Sequence, residues 1–270
     1  MSTRSEQTVT PIVELKRVSH FAGDKPLVAD IQWRIDPGAH WAILGSNGAG
    51  KTTLLKIICG YLWPNGGGRV LRDGQEFVDL SLWRRQVGWL TSQLTTQVPA
   101  SEHVLDTVLS GCWAQLGLKR FSGWEESAEV KHQARVALET VGCAELSQRT
   151  FGTLSQGEQQ KVLIARSSMA RRKLLILDEP CAGLDPASRE SLLEAIERLS
   201  RRPDAPAMLM VTHHVEEIMP VFSRTLVLRN ARILATGLTR EIMDANLLGE
   251  LYGRPLSSLI ESGGRFWPVW

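Results

Sequence analysis

The sequence has no long hydrophobic run. Hydrophobic residues make up 43% of its 270 residues, yet no window approaches the roughly 20 consecutive apolar residues that a membrane-spanning helix needs. Residues 1–11 are polar and lack the apolar segment of a secretory signal. We therefore expect a soluble protein whose work at any membrane depends on a partner.

Cysteine is scarce, and the charges of the two signs nearly balance. The four cysteines lie far apart, with no Cys-x-x-Cys pair and no histidine at metal-ligand spacing. This argues against a zinc site and against a disulfide framework, and it favours the reducing cytosol. The formal net charge is only +2, too small to suggest nucleic acid as a main partner. We expect a cytoplasmic chain with no nucleic-acid partner.

The hydrophobic pattern predicts an α/β fold. Residues 12–18 and 31–35 alternate apolar and polar, as half-buried antiparallel strands do, whereas 41–44 is apolar throughout, as in a central strand. Residues 102–148 have helical periodicity, notably 125–140. A strand is expected at 87–90, before this stretch, and the alternation of strands and helices resumes after it at 174–177, 187–200, 207–212 and 214–219. This pattern predicts a parallel sheet with helices on both faces, interrupted by a helical insertion at about 95–150.

A phosphate-binding loop is predicted at residues 45–52, Gly-Ser-Asn-Gly-Ala-Gly-Lys-Thr. The pattern G-x-x-x-x-G-K-[ST] turns backbone N–H groups onto phosphate oxygens, and the predicted helix at 52–59 adds its positive dipole end. Lys51 reaches the β- and γ-phosphates, and the Thr52 hydroxyl can bind Mg²⁺. The residues predicted to hold the nucleotide are Gly45, Ser46, Asn47, Gly48, Ala49, Gly50, Lys51, Thr52 and Thr53.

Two carboxylates follow the apolar run 174–177 and supply the second half of a nucleotide site. Asp178 would end a buried strand facing the phosphate loop, where it can hold Mg²⁺ directly or through water. Glu179 is the better candidate for the general base that deprotonates the attacking water. The alternative is that Asp-Glu-Pro at 178–180 only caps a strand.

Residues 154–160, Leu-Ser-Gln-Gly-Glu-Gln-Gln, resemble the signature motif of the ATP-binding cassette (ABC) ATPase family, whose usual form is Leu-Ser-Gly-Gly-Gln. The resemblance implies that Ser155 and Gly157 bind the γ-phosphate at a helix N-terminus. Gln156 and Glu158 depart from the usual form. Considered without the family, Ser155 and Glu158 form a capping box, and both interpretations can hold at once.

Further residues resemble the family's motifs in the family's order. Gln93 resembles the glutamine that contacts Mg²⁺ or its water, and Asp185 lies in 183–185, which resembles the loop that crosses to the opposite subunit. His213 resembles the switch histidine that contacts the γ-phosphate and the catalytic water, whereas His214 is expected to be a bystander. The resemblance implies a P-loop NTPase sheet with an antiparallel β subdomain and an inserted helical subdomain.

Aromatic residues leave two questions open. Family members stack adenine on an aromatic residue just before a glycine, but here Ala22 precedes Gly23 and Phe21 is displaced by one position. Phe21 either stacks on the base or packs beneath it. The aromatic terminus 266–270 is expected to pack on its own domain rather than on a partner. Three tryptophans in predicted strands are expected to be core residues: Trp33, Trp41 and Trp89.

The resemblance spans about residues 12–240 and implies one ATPase domain, with its helical subdomain at about 95–170 and a short extension at 241–270. One phosphate loop and one signature per chain imply a two-fold dimer, formed with a second copy or a homologous subunit, that sandwiches two ATP molecules. The implied function is a Mg²⁺-dependent ATPase that drives an importer-type transporter. It would lie at the inner face of the cell membrane, bound to an integral membrane permease.

Two alternatives stay open. One is a soluble ABC ATPase without a transport role, resembling the iron–sulfur cluster assembly ATPases. The other is a P-loop kinase, which would explain Lys51 and Asp178 but would leave Gln93, Ser155 and His213 without a function. The transported substrate is selected by a different polypeptide and cannot be inferred from this chain.

Overall fold

The computed structural model describes residues 9–113, 117–118, 126–170 and 172–270. Within these residues the strands are β1 (Val13–Ala22), β2 (Lys25–Ile35), β3 (His40–Leu44), β4 (Arg69–Arg72), β5 (Val87–Thr91), β6 (Leu174–Asp178), β7 (Ala207–Thr212), β8 (Arg224–Arg229), β9 (Arg232–Leu238), β10 (Ser258–Ser262) and β11 (Arg265–Val269). The helices are α1 (Lys51–Cys59), α2 (Leu80–Gln86), α3 (Val104–Leu109), α4 (Ala128–Thr140), α5 (Gln156–Ser168), α6 (Pro186–Ser200), α7 (Thr239–Ile242) and α8 (Ala245–Tyr252).

The central sheet brings the predicted motifs to one edge. Its strand order is β5-β6-β7-β3-β8-β9; the strands from β5 to β8 pair in parallel, and β9 is antiparallel. Strands β6 and β7 are buried along almost their whole length, which explains their continuous apolar sequence. Because the carboxyl ends of parallel strands share one edge, the residues after β3, β5, β6 and β7 converge there.

The antiparallel subdomain is the three-stranded sheet β2-β1-β4. Val13 pairs with Ile35 and Glu14 with Arg34, so the alternation at 12–18 and 31–35 correctly predicted half-buried strands. This sheet and the central sheet enclose one hydrophobic core with α1. Trp33 and Trp41 meet edge to face in that core, with ring centroids 5.4 Å apart, as predicted for core residues.

The helical subdomain is inserted in sequence between the neighbouring strands β5 and β6. Helices α3, α4 and α5 pack against one another around fully buried side chains such as Val108, Leu138 and Leu163. The helix predicted at 125–140 begins at Ala128, because Ser127 caps it with its hydroxyl oxygen; residue 125 itself lies outside the described residues. Among the described residues, no helix is long and apolar enough to cross a membrane.

The alternation expected to continue through 214–219 is wrong. This segment is a short 3₁₀ turn, Val215–Glu217, and not a full helix. The Thr212 hydroxyl donates to Glu217 Oε2 at 2.5 Å, and the His214 N–H donates to Thr212 Oγ1 at 3.0 Å. These bonds close the chain into a tight turn directly after β7, and Pro220 disfavours a helical conformation in the residue before it.

Three side chains cap the carboxyl end of α1. Arg72, only 1% exposed, donates from Nη2 to the Ile57 carbonyl at 2.6 Å and from Nε to the Ile58 carbonyl at 3.2 Å. Trp83 donates to the same Ile58 carbonyl at 3.0 Å, and Arg84 donates to the Gly60 carbonyl. A cation at the negative end of a helix is favourable, so these contacts fix the helix that carries the phosphate loop.

The aromatic terminus packs on its own chain through Phe266 and the Trp270 ring, while Val269 and Trp270 are each 41% exposed. Strands β10 and β11 form a hairpin, and Phe266, 7% exposed, belongs to the main hydrophobic core. The Trp270 ring meets the Tyr252 ring edge to face, with centroids 5.3 Å apart.

Candidate nucleotide-binding and catalytic site

The loop at 45–50 joins β3 to α1 and depends on its glycines. Gly50 has a left-handed φ of 108° and is the N-cap residue of α1. A Cβ there would collide with the Leu27 carbonyl oxygen, and one at Gly45 would lie 2.8 Å from the Leu228 carbonyl oxygen. Only glycine therefore fits at either position. The loop turns tightly and leads into the N-terminus of α1, a geometry that suits phosphate.

Lys51 is held over this loop. Its side chain is 7% exposed, and Nζ donates to the carbonyl oxygens of Gly45 at 2.6 Å and Ser46 at 3.2 Å. Burial lowers the pKa of Lys51, and the Glu179 carboxylate, 3.7 Å from Nζ, opposes that shift. The cation is therefore largely removed from water, where its attraction to a phosphate is less screened.

The acidic pair ends β6. Asp178 Oδ2 accepts a hydrogen bond from Trp89 Nε1 at 3.3 Å; burial raises the pKa of Asp178, and the Trp89 bond acts in the opposite direction. Glu179 has a left-handed φ of 49°, and its N–H donates to the Val211 carbonyl at 2.9 Å. A non-glycine residue held in this conformation costs about 1–3 kcal/mol, and such strain clusters at functional sites.

Glu179 lies between two predicted functional groups. Its Oε1 is 3.2 Å from His213 Nδ1 and 3.7 Å from Lys51 Nζ. His213 follows β7 directly, so the neighbouring strands β6 and β7 bring the carboxylate and the imidazole together. Lys51, Glu179 and His213, which were predicted separately from the sequence, therefore lie side by side in one row.

A cavity of about 810 Å³ opens beside this row. It is lined by Thr52, Lys56, Tyr61, Leu62, Trp89, Thr91, Gln93, Leu94, Asp178 and Glu179. The three predicted Mg²⁺ ligands therefore share one cavity and offer hydroxyl, amide and carboxylate oxygens, the donors that Mg²⁺ prefers. Trp89, predicted as a core residue, instead lines this cavity and hydrogen-bonds Asp178.

Ser155 begins α5 and forms the capping box that its sequence predicts. Its N–H and hydroxyl donate to Glu158 Oε2 at 2.7 and 2.9 Å, and the Glu158 N–H donates to Ser155 Oγ at 3.4 Å. The Ser155 side chain is exposed. The helix thus presents a hydroxyl and its positive dipole end at the surface.

The signature residues contact the start of α6 in the same chain. Gln156 Nε2 donates to the Ala182 carbonyl at 3.1 Å, and a Cβ at Gly157 would lie 3.2 Å from Ser188 Cβ. Asp185 is the N-cap residue of α6, and its hydrogen bonds from Ser188 lower its pKa. The cavity beside Lys51 includes none of Ser155, Gly157 and Asp185 among its lining residues.

Phe21 does not line the cavity either. Its N–H donates to Asn65 Oδ1 at 2.7 Å, and its carbonyl accepts from Asn65 Nδ2 at 2.9 Å. Its ring lies so close to Gly66 that a Cβ there would collide with it. The contacts of Phe21 are thus with the 65–66 turn, and its stacking on adenine stays a prediction.

A glycine loop and a lysine follow β3, an acidic pair ends β6, and a histidine follows β7. This arrangement defines a P-loop nucleotide-hydrolysing enzyme. The family model described as ABC transporter matches residues 28–182, more than half of the chain. The chain therefore belongs to the ABC transporter family, as an ATP-binding, ATP-hydrolysing subunit.

Relatives extend the match over nearly the whole length. The chain is 37% identical over 251 residues to the uncharacterized ABC transporter ATP-binding protein YlmA of Bacillus subtilis, covering 92% of this chain and 93% of the relative. It is 31% identical to the phosphonates import ATP-binding protein PhnC of Stutzerimonas stutzeri, covering 91% of each. The solved structure of cbiO1 from Clostridium perfringens, part of the complex cbiONQ, superposes with a TM-score of 0.76 at 24% identity, covering 89% and 94%. These findings give no support to the iron–sulfur alternative.

Proposed function

We propose that this subunit is the motor of an importer-type transporter and works as a dimer that closes around two ATP molecules and reopens on their hydrolysis. The observation that supports this is the separation of two phosphate-binding features in one chain. Asp178 and Glu179 line one cavity, and Lys51 Nζ lies 3.7 Å from Glu179 Oε1. Ser155 presents an exposed helix N-terminus that is not part of this cavity. A two-fold partner would bring its own Ser155 to that cavity.

The phosphate loop binds the triphosphate in this proposal. The backbone N–H groups of 45–50 and the N-terminus of α1 hold the phosphate oxygens, and Lys51 pairs with the β- and γ-phosphates. The residues proposed to hold the nucleotide are the ones predicted from the sequence, Gly45 to Thr53. Thr52, Gln93 and Asp178 would hold Mg²⁺, which, when bound, neutralises charge on the phosphates.

Glu179 accepts the proton of the attacking water. Its carboxylate lies 3.7 Å from Lys51 Nζ and 3.2 Å from His213 Nδ1, so these two neighbours fix its orientation. With His213 Nδ1 beside Glu179, the other ring nitrogen is left to contact the γ-phosphate. The strained backbone of Glu179 supports a catalytic role over a purely structural cap.

The transport partner is an integral membrane permease, and the ATPase lies on its cytoplasmic face. Two findings support this: the relatives named above are ATP-binding proteins of transporters, and no helix among the described residues is fit to span a membrane. Residues 12–240 would form the motor domain, with the helical subdomain at about 95–170 and the C-terminal extension at 241–270. Tyr61, 55% exposed, lines the same cavity as Gln93 and would offer an apolar contact to such a partner.

Co-expression with an integral membrane protein encoded by a neighbouring gene, as the candidate permease, tests the proposal. We expect the two polypeptides to purify together from detergent-solubilised membranes, and we expect the permease to change the ATPase rate. The control is Lys51→Ala, which should co-purify but not hydrolyse ATP. An ATPase that stays in the supernatant, with a rate indifferent to the permease, would contradict the transport role.

A further inference from the structure

Two C-terminal side chains donate hydrogen bonds to the turn that carries His213. This segment, residues 213–218, is named here the switch turn. Tyr252, at the end of α8, donates from its hydroxyl to the His213 carbonyl at 2.7 Å. Arg265, at the start of β11, donates from Nε to the Glu216 carbonyl at 2.7 Å. The switch turn is therefore bonded through its backbone, at His213 and at Glu216, to the last 30 residues of the chain.

Arg265 is largely buried and is also bonded to a second partner. The Arg265 side chain is only 15% exposed and also grips the Glu190 carboxylate with two nitrogens, at 2.5 and 3.2 Å. This bidentate pair lowers the pKa of Glu190. Because Glu190 lies in the second turn of α6, whose N-cap residue is Asp185, Arg265 links the switch turn to the helix that follows the loop predicted to cross to the partner.

The hydrogen bond from Tyr252 to His213 is supported by the packing around the Tyr252 ring. Burial raises the pKa of Tyr252, so its hydroxyl stays a donor at neutral pH. The Trp270 ring packs on it edge to face, and Phe266 anchors the hairpin in the core. The hydroxyl therefore cannot move away from the His213 carbonyl without disturbing this packing.

We infer that residues 245–270 form a clamp in which Tyr252 and Arg265 are positioning residues for His213. The inference rests on the proposed catalytic role of His213. On one side the imidazole meets Glu179, and on the other the backbone carbonyl meets Tyr252. A change of backbone conformation at His213 that moves the ring from Glu179 must also strain or break the Tyr252 bond, so the clamp stabilises the ring position that hydrolysis requires.

The test compares Tyr252→Phe and Arg265→Gln with a matched control, Arg229→Gln. The control removes an Arg–Glu pair, Arg229 with Glu250 at 2.8 Å, that also ties α8 to the sheet but does not contact the switch turn. We expect kcat to fall about 3- to 10-fold in Tyr252→Phe and at least as much in Arg265→Gln, the loss of one or two net hydrogen bonds. The KM for ATP should stay within about twofold, because the phosphate loop is untouched, and the control should keep the wild-type kcat.

Hydrogen exchange gives a readout that does not depend on turnover. The N–H groups of Glu217 and Ile218 donate within the switch turn, to the carbonyls of His214 and Val215. In nucleotide-free protein these amides should exchange faster in Tyr252→Phe and Arg265→Gln than in the wild type or the control. Adding Tyr252→Phe to His213→Ala should lower kcat no further, since the clamp acts through that histidine.

Three results would overturn the clamp: unchanged exchange in both variants, unchanged kcat in both while His213→Ala is impaired, or an additive loss in the double variant. If His213→Ala itself hydrolyses ATP normally, the proposed catalytic role of His213 fails. The clamp is then judged by exchange alone: faster exchange supports it, and unchanged exchange overturns it.

Discussion

Glu179 and His213 lie in contact, with Oε1 and Nδ1 3.2 Å apart. They follow the adjacent parallel strands β6 and β7, which pair Asp178 with Val211. The Glu179 N–H donates to the Val211 carbonyl, so its left-handed backbone is held by the strand that leads to His213. The two catalytic candidates are thus placed by one hydrogen-bonded ladder, and the predictions below test what this arrangement does.

Lys51→Ala is expected to weaken ATP binding about 10- to 100-fold or more, because it deletes the cation paired with the β- and γ-phosphates. Titration with a fluorescent ATP analogue measures this. The control is Lys173→Ala, which removes an exposed lysine paired with Asp73 at the opposite end of β6. Equal affinities of the two variants for the ATP analogue would contradict the assignment of the phosphate loop.

Ser155→Arg should leave ATP binding by the monomer nearly intact and stop hydrolysis, because Ser155 is proposed to serve the partner's ATP. Ser127→Arg is the matched control: Ser127 also caps a helix with its hydroxyl, so its loss should cost about 1 kcal/mol of stability but leave turnover. A mixture of Ser155→Arg and Lys51→Ala should regain some activity, since one composite site of the heterodimer stays intact. Loss of ATP binding by the Ser155→Arg monomer contradicts the trans arrangement.

Arg72→Met should destabilise the fold by about 1–3 kcal/mol, because it removes the charged hydrogen bonds that Arg72 donates to the Ile57 and Ile58 carbonyls at the end of α1. Urea denaturation measures the free energy of unfolding. Arg69→Met, on the same strand but with a side chain 63% exposed, should change it little. An Arg72→Met protein as stable as the wild type would show that this capping does not hold α1.

Glu217→Gln should be more stable than the wild type at pH 8, with a difference that shrinks as the pH is lowered toward about 4. Burial raises the pKa of Glu217, so the folded protein binds its proton more readily than the unfolded chain does. The wild type then loses stability relative to the glutamine variant as pH rises from the unfolded pKa of about 4.3 through the raised folded pKa. The amide oxygen can still accept from Thr212. Glu194→Gln, with a side chain 68% exposed, should show no such pH-dependent difference between urea midpoints.

Much of the site could be predicted because its signals are local. The phosphate loop occupies contiguous residues, and its glycines and lysine are fixed by backbone geometry alone. Strands β6 and β7 are apolar up to their last residue, so the sequence shows them to be buried strands. The capping box of Ser155 and Glu158 is a three-residue interval whose hydrogen bonds follow from helix geometry.

The rest of the site depends on contacts between residues that lie far apart in the sequence. Trp89 resembles a core residue in sequence, and only the pairing of β5 with β6 brings its indole to Asp178. Residues 214–219 were expected to continue the alternation of strands and helices, but a side-chain bond between Thr212 and Glu217 closes this segment into a turn. Tyr252 reaches His213 across 39 positions, a contact for which the sequence holds no signal.

Gel filtration of Glu179→Gln with Mg²⁺ and ATP, together with phosphate release, tests the central claim most directly. The amide keeps the shape of the side chain but cannot accept a proton usefully, so turnover should fall about 10²- to 10⁴-fold. Lys51, Thr52 and Asp178 are untouched, so ATP should still bring two subunits together, and without hydrolysis they should stay together. The account predicts an ATP-dependent dimer of the variant where the wild type elutes mainly as a monomer. Near-normal turnover would remove Glu179 from the role of base, and lost turnover without a dimer would contradict the ATP-sandwich mechanism.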